Sequence, residues 1–217
     1  MRKRHFMFTL CTLLLLSLVI CSPSFAADDI LINDFEADDY GDWTTEGDAF
    51  GTKPAGGTLG AQMQVTGYEG EGLVNTFLGG DGPKGKLTSP EFTIERDFIT
   101  FLIGGGGHVG QTCMNLIIDG EVVLSTTGPN KVSGGSEFLN WENWDVSELK
   151  GKKAIIEIVD AASGGWGHVN VDQISQSDTE KEKKAAVVPP RRQADPPPME
   201  NAQELEITGK YILFPVS

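Results

Sequence analysis

Cysteine is nearly absent from this chain. It has three, and two of them, Cys11 and Cys21, lie in an N-terminal apolar segment. Only Cys113 remains beyond that segment, so no intramolecular disulfide can form there and a hydrophobic core must hold the fold. Cys113 stands between Thr112 and Met114 at the start of an apolar run, which reads as a buried structural thiol rather than a nucleophile. Histidine is equally scarce. Of three, one is His5, so a zinc site would need both His108 and His168 without a nearby Cys pair. No window carries an apolar 3.6-residue stripe longer than a turn or two, which argues against a helical domain. There is no Gly-x-Ser-x-Gly elbow, no phosphate loop and no His-Glu-x-x-His, so the common hydrolase and nucleotide sites are not indicated. Gly104 to Gly107 follows a strand-like run but leads into another, and so lacks the helix that a nucleotide site needs.

Basic charge is in short supply as well. The formal net charge is −14. Arg2, Lys3 and Arg4 belong to a positive N-terminal region followed by an apolar run, Phe6 to Ile20, that is short for a bilayer span. Ser24-Phe25-Ala26 then offers the small residues that a signal peptidase reads, so residues 1–26 are expected to be a signal peptide. Ile20 before Cys21 is not the small residue a lipobox wants, and lipidation is not expected. Three of the 17 basic residues leave with the signal, so 14 stand against 31 acidic ones, a net charge of −17. Nucleic acid and anionic membrane would both be repelled. The localisation expected is secreted, extracellular or periplasmic, with no membrane span.

What the chain does have is strands. Ile30–Phe35, Met63–Val65, Leu73–Phe77, Phe92–Ile94, Phe98–Ile103, Cys113–Ile118, Glu121–Thr126, Phe138–Trp144 and Ala154–Val159 are short apolar runs separated by turn signals. Asp119-Gly120 is the strongest hairpin signal among them. Asp145–Lys150 suggests one short helical turn capped by Asp145 or Ser147. The fold class expected is all-β, a jelly-roll-like sandwich over residues 28–175. After Ser175 a run of charges and five prolines marks residues 176–204 as a disordered linker. Residues 205–217 resume strand-like alternation, and read as the start of a second, truncated module, since a lone strand is unstable.

The stretch Asp160–Ile174 is the focus of the candidate chemistry. A glycine-rich loop carries Trp166 and His168 and leads into a strand in which Val169, Val171 and Gln173 alternate with His168, Asn170, Asp172 and Ile174. Gly-x-Gly-His-Val occurs earlier too, at Gly105 to Val109, so two strand ends of like chemistry are expected to meet at one rim. Trp166 offers a flat, stiff surface suited to a sugar ring, the alternative being that it caps the core. His168, His108, Asp48 and Asp81 would supply hydrogen bonds to hydroxyls. The acids from Asp34 to Asp42 look exposed and mark no preorganised catalytic pair. If the terminal strands pair, Glu36 and Asp172 approach one another, and their hard oxygens suit a structural calcium ion.

Residues Ile32 to Ile174 resemble the module that precedes the catalytic domain in bacterial levanase-like proteins of glycoside hydrolase family 32. The resemblance is carried by Asp34-Phe35-Glu36-Ala37-Asp38-Asp39-Tyr40-Gly41-Asp42-Trp43, Gly47 to Gly51, Leu87-Thr88-Ser89-Pro90-Glu91-Phe92, Trp144-Asp145-Val146 and Gly164-Gly165-Trp166-Gly167-His168. It implies a galactose-binding-like sandwich and a parent enzyme that cleaves fructans such as levan or inulin. The family's catalytic motifs are missing: only Asn33-Asp34 echoes its nucleophile, Arg96-Asp97-Phe98 breaks its Arg-Asp-Pro, and Thr112 stands where Glu should precede Cys113. The expectation is therefore a secreted, non-catalytic carbohydrate-binding or accessory module, with polysaccharide and a downstream glycoside hydrolase domain as partners. The alternatives are a spacer that binds no sugar, for which Trp43 and Trp166 should be buried, and part of an active levanase whose catalytic domain lies outside this chain.

Overall fold

The computed structural model describes residues 27–185. The expected signal peptide, the chain beyond Ala185 and the strand-like stretch 205–217 lie outside the described residues. Within them the strands are β1 (Ile30–Asn33), β2 (Thr44–Gly47), β3 (Val74–Asn75), β4 (Gly85–Thr88), β5 (Phe92–Thr93), β6 (Phe98–Gly105), β7 (Thr112–Ile118), β8 (Glu121–Thr127), β9 (Asn140–Asp145), β10 (Lys153–Asp160) and β11 (Val169–Ser177). They form two sheets. One runs β1-β11-β6-β9, with β3 sharing the β1 side of β11; the other runs β2-β4-β10-β7-β8, with β5 also on β10. Every strand pairing is antiparallel. The all-β sandwich expected from the sequence is the fold.

Alternation decides what lies between the sheets. Phe101 and Ile103 of β6, Met114 and Leu116 of β7, Ile156 and Ile158 of β10 and Val169 and Val171 of β11 share one core. Trp144 of β9 packs edge-on against Phe101, with ring centroids 4.7 Å apart. A smaller cluster of Leu73, Leu102, Leu139 and Trp141 fills the other face of the first sheet, beneath the connection from β2 to β3. Cys113 is buried, and burial pushes its thiol upward, as an inert core thiol requires.

The hairpin at Asp119-Gly120 forms as expected. Both residues have positive φ, 53° and 81°, the twist that matches a two-residue connection between β7 and β8. Ser147–Leu149 is a single 3-10 turn; Asp145 Oδ1 accepts from the Ser147 amide at 3.0 Å just ahead of it.

The structure departs from the sequence reading in four places. Met63–Val65 is not a strand, although Thr66 makes an isolated bridge to Phe138. β2 and β4 carry Thr, Lys, Glu and Gly rather than an apolar run, and so show no sequence signal; their pairing with each other and with β10 makes them strands. The alternation read through Ile174 also breaks. β11 bulges between Asp172 and Ser175, with Gln173 at φ 50°, and the extra residue turns Ile174 into the core. The folded body likewise extends past Ser175: β11 runs to Ser177, and residues up to Lys184 belong to the same compact unit.

Phe101→Ala should lower the stability of the domain by about 3–5 kcal/mol, whereas Val122→Ala, half exposed on β8, should change it by less than about 0.5 kcal/mol. Urea titration of both proteins checks the contrast.

Candidate functional site

The two glycine-histidine stretches meet as expected. Val169 pairs with Gly105 at the end of β6, and the Gly106 amide donates to the His168 carbonyl at 2.8 Å. A Cβ on Gly106 would collide with the Trp166 carbonyl, so glycine is required there by close approach. At this rim the loop before β11 lies beside the loop before β7, and His108 Nε2 sits 3.2 Å from the Gly165 carbonyl.

His168 is the centre of the rim and only 2% exposed. Its Nδ1 lies 2.6 Å from Asp81 Oδ1, and its Nε2 lies 3.0 and 3.1 Å from the two oxygens of Glu137. Both partners are acceptors when ionised, and an imidazolium, with a proton on each ring nitrogen, is the form that satisfies both contacts. Burial pushes its pKa down, but the hydrogen bonds and charges of Glu137 and Asp81 outweigh that and hold it above the ordinary value. Asn170 Nδ2 adds a bond to Glu137 at 2.8 Å. Phe77 packs edge-on to the imidazole at 4.9 Å, and Trp166 lies over it at 5.6 Å.

Asp160 completes the cluster from the end of β10. It is 1% exposed and neither carboxyl oxygen has a hydrogen-bond partner. The nearby Thr76 hydroxyl is engaged with Val169, accepting from its amide at 2.9 Å and donating to its carbonyl at 3.3 Å. Burial raises Asp160 to about 6, with the Asp81 charge adding to the rise and His168 opposing it.

Four of the five residues expected to touch a sugar are therefore gathered at one rim, but in different roles. Trp166 is 9% exposed, and its Nε1 donates to the Val132 carbonyl at 3.0 Å. It roofs His168 instead of presenting an open face, because the left-handed turn at its own φ of 63° folds the indole inward. His168 has no ring nitrogen free for a hydroxyl. Asp81 keeps part of its carboxylate in solvent, at 24% exposure, and His108 is half-buried. Asp48 is exposed and only weakly engaged, its Oδ1 accepting from the Lys84 amide at 3.4 Å. Glu137 was not singled out in the sequence, and Asn170 and Asp160 appeared there only as members of the stretch 160–174, since their surroundings are set by segments dozens of residues away.

Glu36 and Asp172 both reach the chain segment from Glu69 to Gly72. Asp172 Oδ2 accepts from the Glu69 amide at 2.8 Å and Oδ1 from Gln173 at 2.8 Å; Glu36 accepts from the Glu71 and Gly72 amides at 2.9–3.0 Å. Asp172 is fully buried. Burial, then the charges of Glu36 and Glu69, push it to about 7 against the amide bonds that lower it. Among the described residues no Lys or Arg lies within 4 Å of either carboxylate. Nor is any group of three or more His, Cys, Asp or Glu set for a metal among them. Carbonyl oxygens would have to supply the remaining ligands of a cation here.

A groove of about 420 Å³ lies at the other ends of β10 and β11. Tyr40, Trp43, Phe92, Asn33 and Gln176 help to line it, and none of them was singled out as a site from sequence.

No family model matches the chain. Among curated proteins it is 46% identical over 155 residues to the "Putative glycosyl hydrolase ecdE" of Aspergillus rugulosus, a match covering 70% of this chain and 21% of that protein. The chain thus spans about a fifth of the length of this relative. Among solved structures it is similar to the K3 cleaved adhesin domain of Lys-gingipain from Porphyromonas gingivalis w83. The TM-score is 0.45 at 15% identity, over 69% of this chain and 99% of that one. A family 35 carbohydrate binding module from Clostridium thermocellum gives 0.33 at 16% identity, over 69% and 97%. Likenesses at this level carry no functional conclusion. Among the described residues no helix is long and apolar enough to cross a membrane.

The rim predicts a particular pH dependence. Asp160 and His168 both bind their protons more tightly folded than unfolded, so each stabilises the fold on the acid side. Stability should fall as pH rises from about 4 through 6, where Asp160 ionises, with Asp172 extending that fall to about 7, and fall again as His168 loses its proton above its ordinary range. Asp160→Asn should flatten the first step. Thermal melts between pH 4 and 9 check both steps.

Proposed function

We propose that this chain is a non-catalytic carbohydrate-binding or accessory module of a longer glycoside hydrolase. The observation that carries the reading is the 46% identity to a much longer protein named as a glycosyl hydrolase. The 155 matched residues are close in number to the folded span 27–185. The acids at the rim support the non-catalytic part, because Asp81 and Glu137 hold His168 and Asp172 holds a loop. Sugar hydroxyls would meet the groups left open there, Asp81 and His108 with the Gly164-Gly165 backbone, while Trp166 and His168 back them and Asp48, outside the rim, extends the site. Such a site is small and polar, and its affinity would act through effective concentration on a tethered hydrolase domain. The finer reading, a fructan such as levan or inulin and a family 32 hydrolase, rests on the sequence resemblance. Secretion rests on the N-terminal segment.

Calcium at Glu36 and Asp172 belongs to the same proposal. A buried carboxylate that burial and two acidic neighbours raise, with no basic partner, is the kind of group a hard cation would satisfy. The ion would tie β1 and β11 to the loop at residues 69–72.

A second reading has its own support: Trp43 and Trp166 are 7% and 9% exposed, as a spacer without a sugar site requires.

Adsorption separates the two. Under the first reading the protein is retained on insoluble levan or another polysaccharide, and His108→Ala with Asp48→Ala weakens retention about 3- to 10-fold, on the order of one or two hydrogen bonds. Retention on no polysaccharide leaves the spacer. Calcium should raise the melting temperature at pH 8, by an amount that grows with the logarithm of its concentration once the site fills, and Asp172→Asn should abolish that response; a wild-type melt indifferent to calcium removes the ion.

A further inference from the structure

At the end of the sandwich away from the rim, β1, the turn that follows it and the segment from Ser89 to Glu95 enclose the groove of about 420 Å³. That volume lies within the range of about 300–1,000 Å³ usual for ligand sites. Tyr40, Trp43 and Phe92 wall it. Tyr40 spends its hydroxyl on the Phe50 carbonyl at 3.1 Å, so it is a wall only. Phe35 holds the Trp43 ring edge-on, with centroids 5.6 Å apart. Trp144 and Trp166 donate their indole N–H groups to Thr126 and Val132. Trp43 is just as buried, at 7% exposure, yet among the described residues its N–H meets no acceptor. Nor is that N–H sealed from solvent, so it opens on the groove the ring lines. Asn33 adds a second donor: its Oδ1 takes the Phe35 amide at 2.7 Å, while its Nδ2 has no acceptor among the described residues.

Acceptors line the same groove. Asp39, Asp42, Glu91 and Glu95 are exposed there, and no Lys or Arg is among the lining residues. Glu91 lies 3.8 Å from Lys153; among the described residues the other three have no Lys or Arg within 4 Å. Asp39 Oδ1 takes the Gly41 amide at 2.9 Å, which fixes the turn. A uronate or phosphate would be repelled by four carboxylates. An ammonium or guanidinium would suit the carboxylates but leave both N–H donors unanswered, since neither cation accepts a hydrogen bond. A sugar hydroxyl both donates and accepts, and the apolar face of its ring matches the half-buried Phe92.

We propose that this groove is a second saccharide site, which takes a stretch of neutral sugar chain at the end of the domain opposite the rim. Asp42 and Glu95 accept from hydroxyls, Trp43 Nε1 and Asn33 Nδ2 donate, and Phe92 carries the ring. The proposal rests on the carbohydrate-binding reading of the chain and adds to it a site that shares no residue with the rim. Two weak sites on one domain hold a polymer through effective concentration, so each strengthens the other.

The test is adsorption of the full chain to insoluble levan and other neutral polysaccharides, with four proteins: wild type, Asp42→Ala with Glu95→Ala, Trp43→Phe, and the rim pair His108→Ala with Asp48→Ala. The acid pair should weaken retention about 3- to 10-fold, and Trp43→Phe, which keeps a ring and loses the N–H, about threefold. Wild-type retention should survive about 1 M sodium chloride, where the Debye length is about 3 Å. Retention that the acid pair leaves unchanged overturns the groove and leaves the carbohydrate reading standing, whatever the rim pair does. Retention on no polysaccharide removes that reading and this site together. Retention on polylysine alone, lost in the same salt, assigns the groove to a basic partner and overturns the proposal. Asp42 and Glu95 are exposed, so the acid pair decides even if Trp43→Phe fails to fold.

Discussion

A single strand carries both the core and its fastenings. Val169 and Val171 of β11 face the interior between the sheets, and the residues alternating with them, His168, Asn170 and Asp172, are polar and fully buried. Burying three such groups in a row costs free energy unless each finds partners. His168 and Asp172 do, and Asn170 does through its Nδ2, its Oδ1 having no partner; each partner lies on a loop: Asp81 and Glu137 for His168, Glu137 for Asn170, the Glu69 amide for Asp172. The connections from β2 to β3, from β3 to β4 and from β8 to β9 are thereby tied to one strand. A domain with one cysteine among its described residues uses these bonds where a secreted fold often uses disulfides.

The same bonds leave few of the rim's ionisable groups free. A general acid or nucleophile has to be free to meet its substrate. Here the imidazolium is saturated by two carboxylates, and Asp160 is sealed beneath it. What stays open is a margin of glycine backbone, His108 and one side of Asp81. The groups that looked chemically active in the sequence are thus the ones the fold consumes, and their less conspicuous neighbours face solvent.

Side-chain amides also fasten separate segments by bonding to backbone. Gln176, brought round by the bulge in β11, accepts from the Glu95 amide at 2.7 Å and donates to the Thr93 carbonyl at 3.1 Å. Asn140 and Asn143 hold the backbone of Lys184 and Lys181. The amide side chain suits this because it carries a donor and an acceptor in one plane, as the peptide group does.

Local chemistry alone determined a good deal. Period-two apolar runs specify strands wherever one face is buried, so β6, β7, β10 and the Asp119-Gly120 hairpin were legible from the residues themselves. So was the meeting of the two glycine-histidine stretches, because only glycine tolerates backbones that close together. The tertiary structure decided the rest. β2 and β4 are strands because of their neighbours. Ile174 is in the core because one residue of bulge reverses the faces that follow it. Trp166 is a roof because its backbone turns left-handed. His168 is an imidazolium because Glu137, 31 positions away, folds against it. Partners that distant leave no periodicity to read, since their pairing is set by the packing of sheets and loops and not by the spacing of residues along the chain.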